Sequence, residues 1–293
     1  MFRLAHLSDP HLGPLPQPRL RELAGKRLTG YMNWRRGRDR IHDMGLLDRI
    51  LADMRAQQPA HIACTGDLIN IGLHGEFKVA RAFLEKLGPP SKVSFVPGNH
   101  DAYHRTTVGD IERFLSPWMT SENGRFEGFP YVRLVGPLAL VGLSSAVVTG
   151  PFVASGTLGR EQRTRLANVL AFLGQQPLCR VILIHHPPHR HSGSAGRGLT
   201  DASAFEDILE KAGAELVLHG HNHLTSINRI PGPKGPIPIV GVPSCSAVRG
   251  TLTHRAGYHI FDIDLTEGGI TIEGRTRGLL PGGELGDLGS LPL

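Results

Sequence analysis

Cysteine is scarce in this sequence. Its 293 residues hold 3 cysteines, Cys64, Cys179 and Cys245, far apart and without a CxxC pair. That excludes a disulfide framework and a thiolate zinc site, and makes a reducing cytoplasm the expected compartment. Long apolar runs are also missing. None approaches the roughly 18 residues that cross a bilayer, and MFRLAHLSD enters a strand-like pattern at once, so export finds no support. No stretch reads as a linker and no fixed-period repeat is visible, so one large domain over 1–278 is expected. The glycine-rich tail over 279–293 has too little periodicity to place and is expected to be mobile.

What is present suffices for a real core, since 40% of residues are hydrophobic and 20% charged. The formal net charge of +6 is unevenly spread. Arg19, Arg21, Lys26, Arg27, Arg35, Arg36, Arg38 and Arg40 crowd into residues 19–40, where only Glu22 and Asp39 are acidic. Such a run reads equally as a solvated helical face or as a binding surface. With Tyr31 and Trp34 interleaved, the binding form is an amphipathic cap touching phosphate groups or an anionic membrane, with Arg35 and Arg36 as candidate contacts.

Short apolar runs alternate with helix-like segments, the pattern of a layered α/β domain. Strands are expected at FRLAHLS, AHIAC, KVSFV, YVRLV, LALVGL, RVILI, AELVL, IPIVG and YHIFDIDL. Helices are expected near 41–57, 75–87, 108–115, 160–173 and 202–212. From 225 onward the strands follow one another through turns, with a hairpin at LTEGG, so a helix-crossed first half should pack on a more antiparallel second half.

Polar clusters follow five of these runs: SDPH, TGDLIN, PGNHD, HHPP and HGHNH. Strand carboxyl ends are where open α/β sheets bind ligands. Each cluster alone is an ordinary turn, and a lone histidine is more often structural than ligating. Five such clusters, each at a strand exit, are a site. Its donors are Asp9, His11, Asp67, Asn99, His100, His185, His186, His221 and His223, oxygen and imidazole without thiolate. That set suits a transition metal better than calcium or a structural zinc. Asp9 and His11 are two apart, as are His221 and His223, and in an extended chain each pair would point one way. Gly66, Gly98 and Gly220 beside the donors would let backbone approach closely.

In this order, Asp9-x-His11, Gly66-Asp67, Gly98-Asn99-His100-Asp101, His185-His186-Pro187 and Gly220-His221-x-His223 resemble the calcineurin-like metallophosphoesterases from about Phe2 to His223. The resemblance implies a four-layer α-β-β-α sandwich of two mixed sheets. It also implies two divalent or mixed-valence transition-metal ions, manganese, iron or zinc. Asp9, His11 and His223 would hold the first ion, Asn99, His185 and His221 the second, and Asp67 both. His185 is chosen over His186 by its spacing from Pro187, leaving His186 to line the substrate site. The implied reaction is in-line attack of a metal-bridging hydroxide on phosphorus. His100 would be the catalytic histidine at the leaving group, with Asp101 orienting its ring, and His219 would be structural.

Within the family the motifs look most like the bacterial phosphodiesterases for cyclic nucleotides and glycerophosphodiesters, so a small phosphodiester is the expected partner. The alternative is a pyrophosphatase of the UDP-2,3-diacylglucosamine type, peripheral at the inner membrane surface, using the basic insertion. A nuclease lacks an evident DNA-capping domain, and a non-catalytic scaffold fits poorly with a complete set of ligand types. Nucleic acid is therefore not an expected partner, and the oligomeric state is left open, a homo-oligomer included.

Overall fold

Along Leu138–Gly142, Cys179–Leu183 and Leu216–His219, successive side chains enter two different cores. Leu138, Leu140, Val181, Leu183, Leu216 and Leu218 join one cluster, while Ala139, Val141, Ile182 and Val217 join the other. Period-two alternation with both faces apolar means a sheet covered on both sides.

The computed structural model describes residues 1–37, 40–121, 128–190, 196–248, 250–251 and 253–293. Arg38 and Asp39 of the basic segment lie outside them. The strands are β1 (Phe2–Leu7), β2 (His61–Cys64), β3 (Val93–Phe95), β4 (Tyr131–Val135), β5 (Leu138–Gly142), β6 (Cys179–Leu183), β7 (Leu216–His219), β8 (Ser226–Ile230), β9 (Ile237–Gly241), β10 (Gly257–Thr266), β11 (Gly269–Leu279) and β12 (Leu285–Leu291). The helices are α1 (Lys26–Arg35), α2 (Met44–Ala56), α3 (His74–Leu87), α4 (Thr107–Leu115), α5 (Gly159–Leu173) and α6 (Ala202–Ala212).

Two six-stranded mixed sheets result, ordered β12-β11-β10-β1-β2-β3 and β4-β5-β6-β7-β9-β8. The inner cluster joins both sheets and takes in Leu46, Ile50 and Met54 of α2 with Phe77, Phe83 and Leu84 of α3. The outer cluster packs Leu166 and Leu170 of α5 and Phe205 and Leu209 of α6 on the second sheet. This is the expected α-β-β-α sandwich.

The strands after residue 225 pair antiparallel in β8–β9 and β10–β12, as expected, but the two halves do not form separate layers. β1 lies parallel to β2 on one side and antiparallel to β10 on the other, so the chain's last strands complete its first sheet. The hairpin at residues 265–269 joins β10 to β11 as expected. The tail, expected to be mobile, forms β12. It pairs antiparallel with β11 and buries Leu291, because paired backbone needs no apolar periodicity to be satisfied. No described helix is long and apolar enough to cross a membrane.

Candidate active site

All five motifs stand where parallel strands end. Asp9 and His11 follow β1, Asp67 follows β2, Asn99 and His100 follow β3, His185 follows β6, and His221 and His223 follow β7. The rim is therefore shared by two sheets, three motifs from one and two from the other.

The paired donors converge through strained backbone and not through an extended chain. Asp9, His11, Asp67, His221 and His223 all have positive φ, between 41° and 68°. They are five of the seven such non-glycine residues among those described. Left-handed backbone is uncommon outside glycine and costs of order 1–3 kcal/mol per residue, so it persists where surrounding structure forces it. At Gly66, φ +103°, a Cβ would lie 2.6 Å from the Gly98 nitrogen and 2.7 Å from His185 Nδ1, so only glycine allows these two loops to touch.

The loop after β2 orients three imidazoles. His185 Nδ1 donates to the Thr65 carbonyl at 2.7 Å, His11 Nδ1 to Ile69 at 3.3 Å, and His100 Nδ1 to Asn70 at 2.5 Å. A carbonyl can only accept, so each ring carries a proton on Nδ1 and turns Nε2 away from the loop.

Two donor groups result. In the first, His223 Nε2 lies 3.2 Å from both His11 Nε2 and Asp9 Oδ1. In the second, Asn99 Oδ1 lies 3.1 Å from His185 Nε2 and 2.9 Å from His221 Nδ1, with the two nitrogens 3.3 Å apart. Asp67 Oδ2 stands between the groups, 3.4 Å from His185 Nε2 and 3.9 Å from His11 Nε2.

These contacts suit a metal better than they suit one another. Ligands at 2.0–2.2 Å from an ion leave donor atoms about 3.0–3.5 Å apart, and five of the seven separations fall there. Asp9 Oδ1 is buried and makes no hydrogen bond, although His223 Nε2 lies 3.2 Å from it. Burial opposes ionisation of Asp67, but His185, His100 and His11 override it and hold its carboxyl well below the usual range. Burial likewise opposes charge on His185, but Asp67 overrides it and pushes the ring up to about 9.

Beside the groups opens a cavity of about 450 Å³, lined in part by Asp67, Asn99, His100, His221 and His223. A cavity of about 510 Å³ lies at the opposite, starting ends of β6 and β7, but its Arg180 is already bound by Glu215. Strand-end chemistry and not size marks the site.

A sequence profile of the calcineurin-like phosphoesterases matches residues 2–224. The chain belongs to that family. Its members are dimetal phosphoesterases, and the chain's donor groups are of the kind the family uses. No curated protein matches. Among solved structures, a dimetal phosphatase from Danio rerio is similar with a TM-score of 0.58 at 15% identity, covering 99% of each chain. The 5'-nucleotidase precursor of Thermus thermophilus gives 0.52 at 14%, covering 94% of this chain, which spans only 54% of the nucleotidase. The purple acid phosphatase PPD1 of yellow lupin gives 0.54 at 13%, covering 98% of this chain and 52% of its own. At such identities the likeness is one of fold.

Three expectations for this family member change. Asp101 does not orient His100, a task taken by the Asn70 carbonyl. Its Oδ1 accepts from the amides of Leu68 and Ile69 and its Oδ2 from those of Asp67 and Gly98, so it binds together the two loops that carry Asp67 and Asn99. Burial and then Asp67 push its carboxyl up to about 7, yet four N–H donors are the surroundings of an ionised group. His186 is fully buried and is not part of the cavity wall, with both nitrogens already partnered, Nδ1 by Ser145 at 2.7 Å and Nε2 by the Ala154 carbonyl at 3.1 Å. Arg35 and Arg36 are exposed and outside the cavity, because α1 turns Lys26, Thr29, Gly30 and Asn33 toward it. The basic segment does cap the site, but by a different face. His219 is buried as expected, with Nδ1 on the Gly220 carbonyl at 2.9 Å.

Sequence reasoning missed Lys26, Tyr103, Arg197 and Asn222 in the wall, and His42 beside His11. Lys26, Tyr103 and His42 lie outside every strand-exit cluster. Asn222 sat inside HGHNH and could have been found there.

Proposed function

We propose that this family member is a phosphodiesterase for a small-molecule diester. The observation that carries this reading is the cavity wall beside the donor groups. Asn33, Tyr103, Phe152 and Asn222 offer amide and aromatic surface, with Lys26 and Arg197 as cations. Lys26 Nζ already donates to Thr149 at 2.9 Å and lies 4.5 Å from the Tyr103 ring centre, and Arg197 is exposed. A monoester dianion would be better served by a buried bidentate clamp, whereas a diester has one charge fewer and a second organic group to seat.

In this reading Asp9, His11 and His223 would hold one ion and Asn99, His185 and His221 the other, with Asp67 available to both. Bound there, such ions lower the pKa of water and offset charge on phosphoryl oxygens. The chain's residues do the rest. His100, its Nδ1 fixed by Asn70 and its ring stacked on Tyr103 at 5.6 Å, presents Nε2 to the cavity; in its imidazolium form, protonated on both nitrogens, it passes the Nε2 proton to the leaving oxygen and is left as the neutral Nδ1–H ring. Asp67 Oδ1 accepts from the His100 amide at 2.7 Å, tying that proton donor to the shared carboxylate. Asp101 holds the loops in register.

The test counts metal per chain and compares an aryl phosphodiester with its monoester, for the wild type and Asn99→Ala. Two ions per chain, faster diester cleavage and a loss of roughly 100-fold or more in the variant are expected. Preference for the monoester would overturn the diester reading. One ion per fully loaded chain, or undiminished activity in Asn99→Ala, would overturn the dinuclear one.

A second reading, a lipid-linked pyrophosphate at an anionic membrane, draws on exposed apolar side chains near the cavity. Leu28 and Met32, one turn apart on α1, are exposed beside Arg35 and Arg36, and Phe152 at the cavity wall is 86% exposed with φ +63°.

A further inference from the structure

His42 belongs to none of the strand-exit motifs, yet it stands against the first donor group. The helix expected from residue 41 starts only at Met44, where Asp43 caps it by accepting from the Leu46 amide at 2.7 Å. The preceding residues are pinned elsewhere. The Asp43 amide donates to the Ser246 carbonyl at 2.9 Å, and His42 bridges Ala247. This places the His42 ring 4.6 Å from that of His11 and 5.9 Å from that of His223, centre to centre. One ring nitrogen from each of the three lies within 4.8 Å of the others.

Counting hydrogens fixes the tautomer. Ser246 Oγ donates its single hydrogen to the Pro10 carbonyl at 2.7 Å. It can then only accept from His42 Nδ1, 2.8 Å away, so Nδ1 carries the proton and Nε2 the lone pair. This is the arrangement of a metal-ligating histidine whose other nitrogen is held by a fixed partner. The same serines grip the metal loop itself, since Ser244 Oγ donates to the Asp9 carbonyl at 2.6 Å.

We infer that His42 is a further metal-ligating residue of the first group. The inference rests on the dinuclear reading proposed above. It makes the two groups unequal: Asp9, His11, His42, His223 and Asp67 on one side, against Asn99, His185, His221 and Asp67 on the other. The group richer in imidazole suits zinc or iron and binds its ion more tightly. The sparser group keeps the positions open to substrate.

The experiment titrates metal-free full-length protein with Co(II), following the visible spectrum and ions bound per chain. Two separable affinities are expected in the wild type. His42→Ala should weaken the tighter one by about 10- to 100-fold or more, change its Co(II) absorption, and leave the weaker one in place. Ser246→Ala, which frees the tautomer, should weaken the same site by a smaller factor. Unchanged tight-site affinity and spectrum in His42→Ala, with only the metal-free protein made less stable, would overturn the inference and leave His42 a clasp between α2 and residues 244–247. Should His42→Ala fail to fold, Ser246→Ala decides: a weakened tight site supports the assignment, and wild-type affinity overturns it. A wild type that binds one ion instead sinks the dinuclear reading, a separate outcome.

Discussion

At the residue scale the site is built by backbone groups as much as by its donors. Three carbonyls of one loop set the tautomers of His185, His11 and His100, and Asp101 gathers four amides from the loops that carry Asp67 and Asn99. Removing the Asp101 carboxylate leaves those buried amides without an acceptor, at about 1–3 kcal/mol for each that water cannot reach. Asp101→Ala is therefore expected to lose about 3–5 kcal/mol of stability in urea unfolding. A loss below about 1 kcal/mol would show that the carboxylate does not hold the loops. The donors themselves were legible in the sequence because ligation selects residue types. The role of Asp101 was not, because a carboxylate beside a histidine looks the same in sequence whether it faces the ring or the backbone.

At the element scale, α1 shows why a charge run is hard to read. The sequence marks residues 19–40 as basic and aromatic, but only helix phase separates the Lys26, Thr29, Gly30 and Asn33 stripe from the Leu28, Met32 and Arg35 stripe. That separation makes the membrane reading testable apart from catalysis. On it, the double variant Arg35→Glu, Arg36→Glu should lose sedimentation with anionic vesicles while cleaving a soluble diester at the wild-type rate. Vesicle binding equal to the wild type would end that reading. β12 teaches the opposite lesson. Its segment lacked a periodic apolar signal, and β11 supplied the pairing partner that gave it structure. His42 was missed for a related reason, since periodicity drew it into a helix that Asp43 begins one residue later.

At the scale of the whole molecule, the sandwich buries imidazoles that belong to neither donor group as well. His61 meets Ser94 at 2.9 Å, and His259 meets the Gly241 carbonyl and Thr276. Burial holds both down at about 4, against an ordinary 6.5. In the unfolded chain they protonate near 6.5, so below that pH the unfolded state binds more protons and stability falls as pH drops toward 4. Between pH 7 and pH 5 each should cost about 1–2 kcal/mol. Urea unfolding of metal-free wild type and His61→Gln at the two values checks this, and the variant should lose less stability by that amount. An identical pH slope in both would refute it. Such a histidine cannot be told from a ligand in sequence, because burial and not residue type sets its protonation.

The sequence by itself determined the family, the strand-exit motifs and the kind of chemistry, because donor types and their order along the chain are local properties. Tertiary structure decided which donors face one another, which stripe of α1 covers the cavity, and that the last strands close the first sheet. Those depend on distances between segments as far apart as Asp9 and His221, which no local pattern records and only packing fixes.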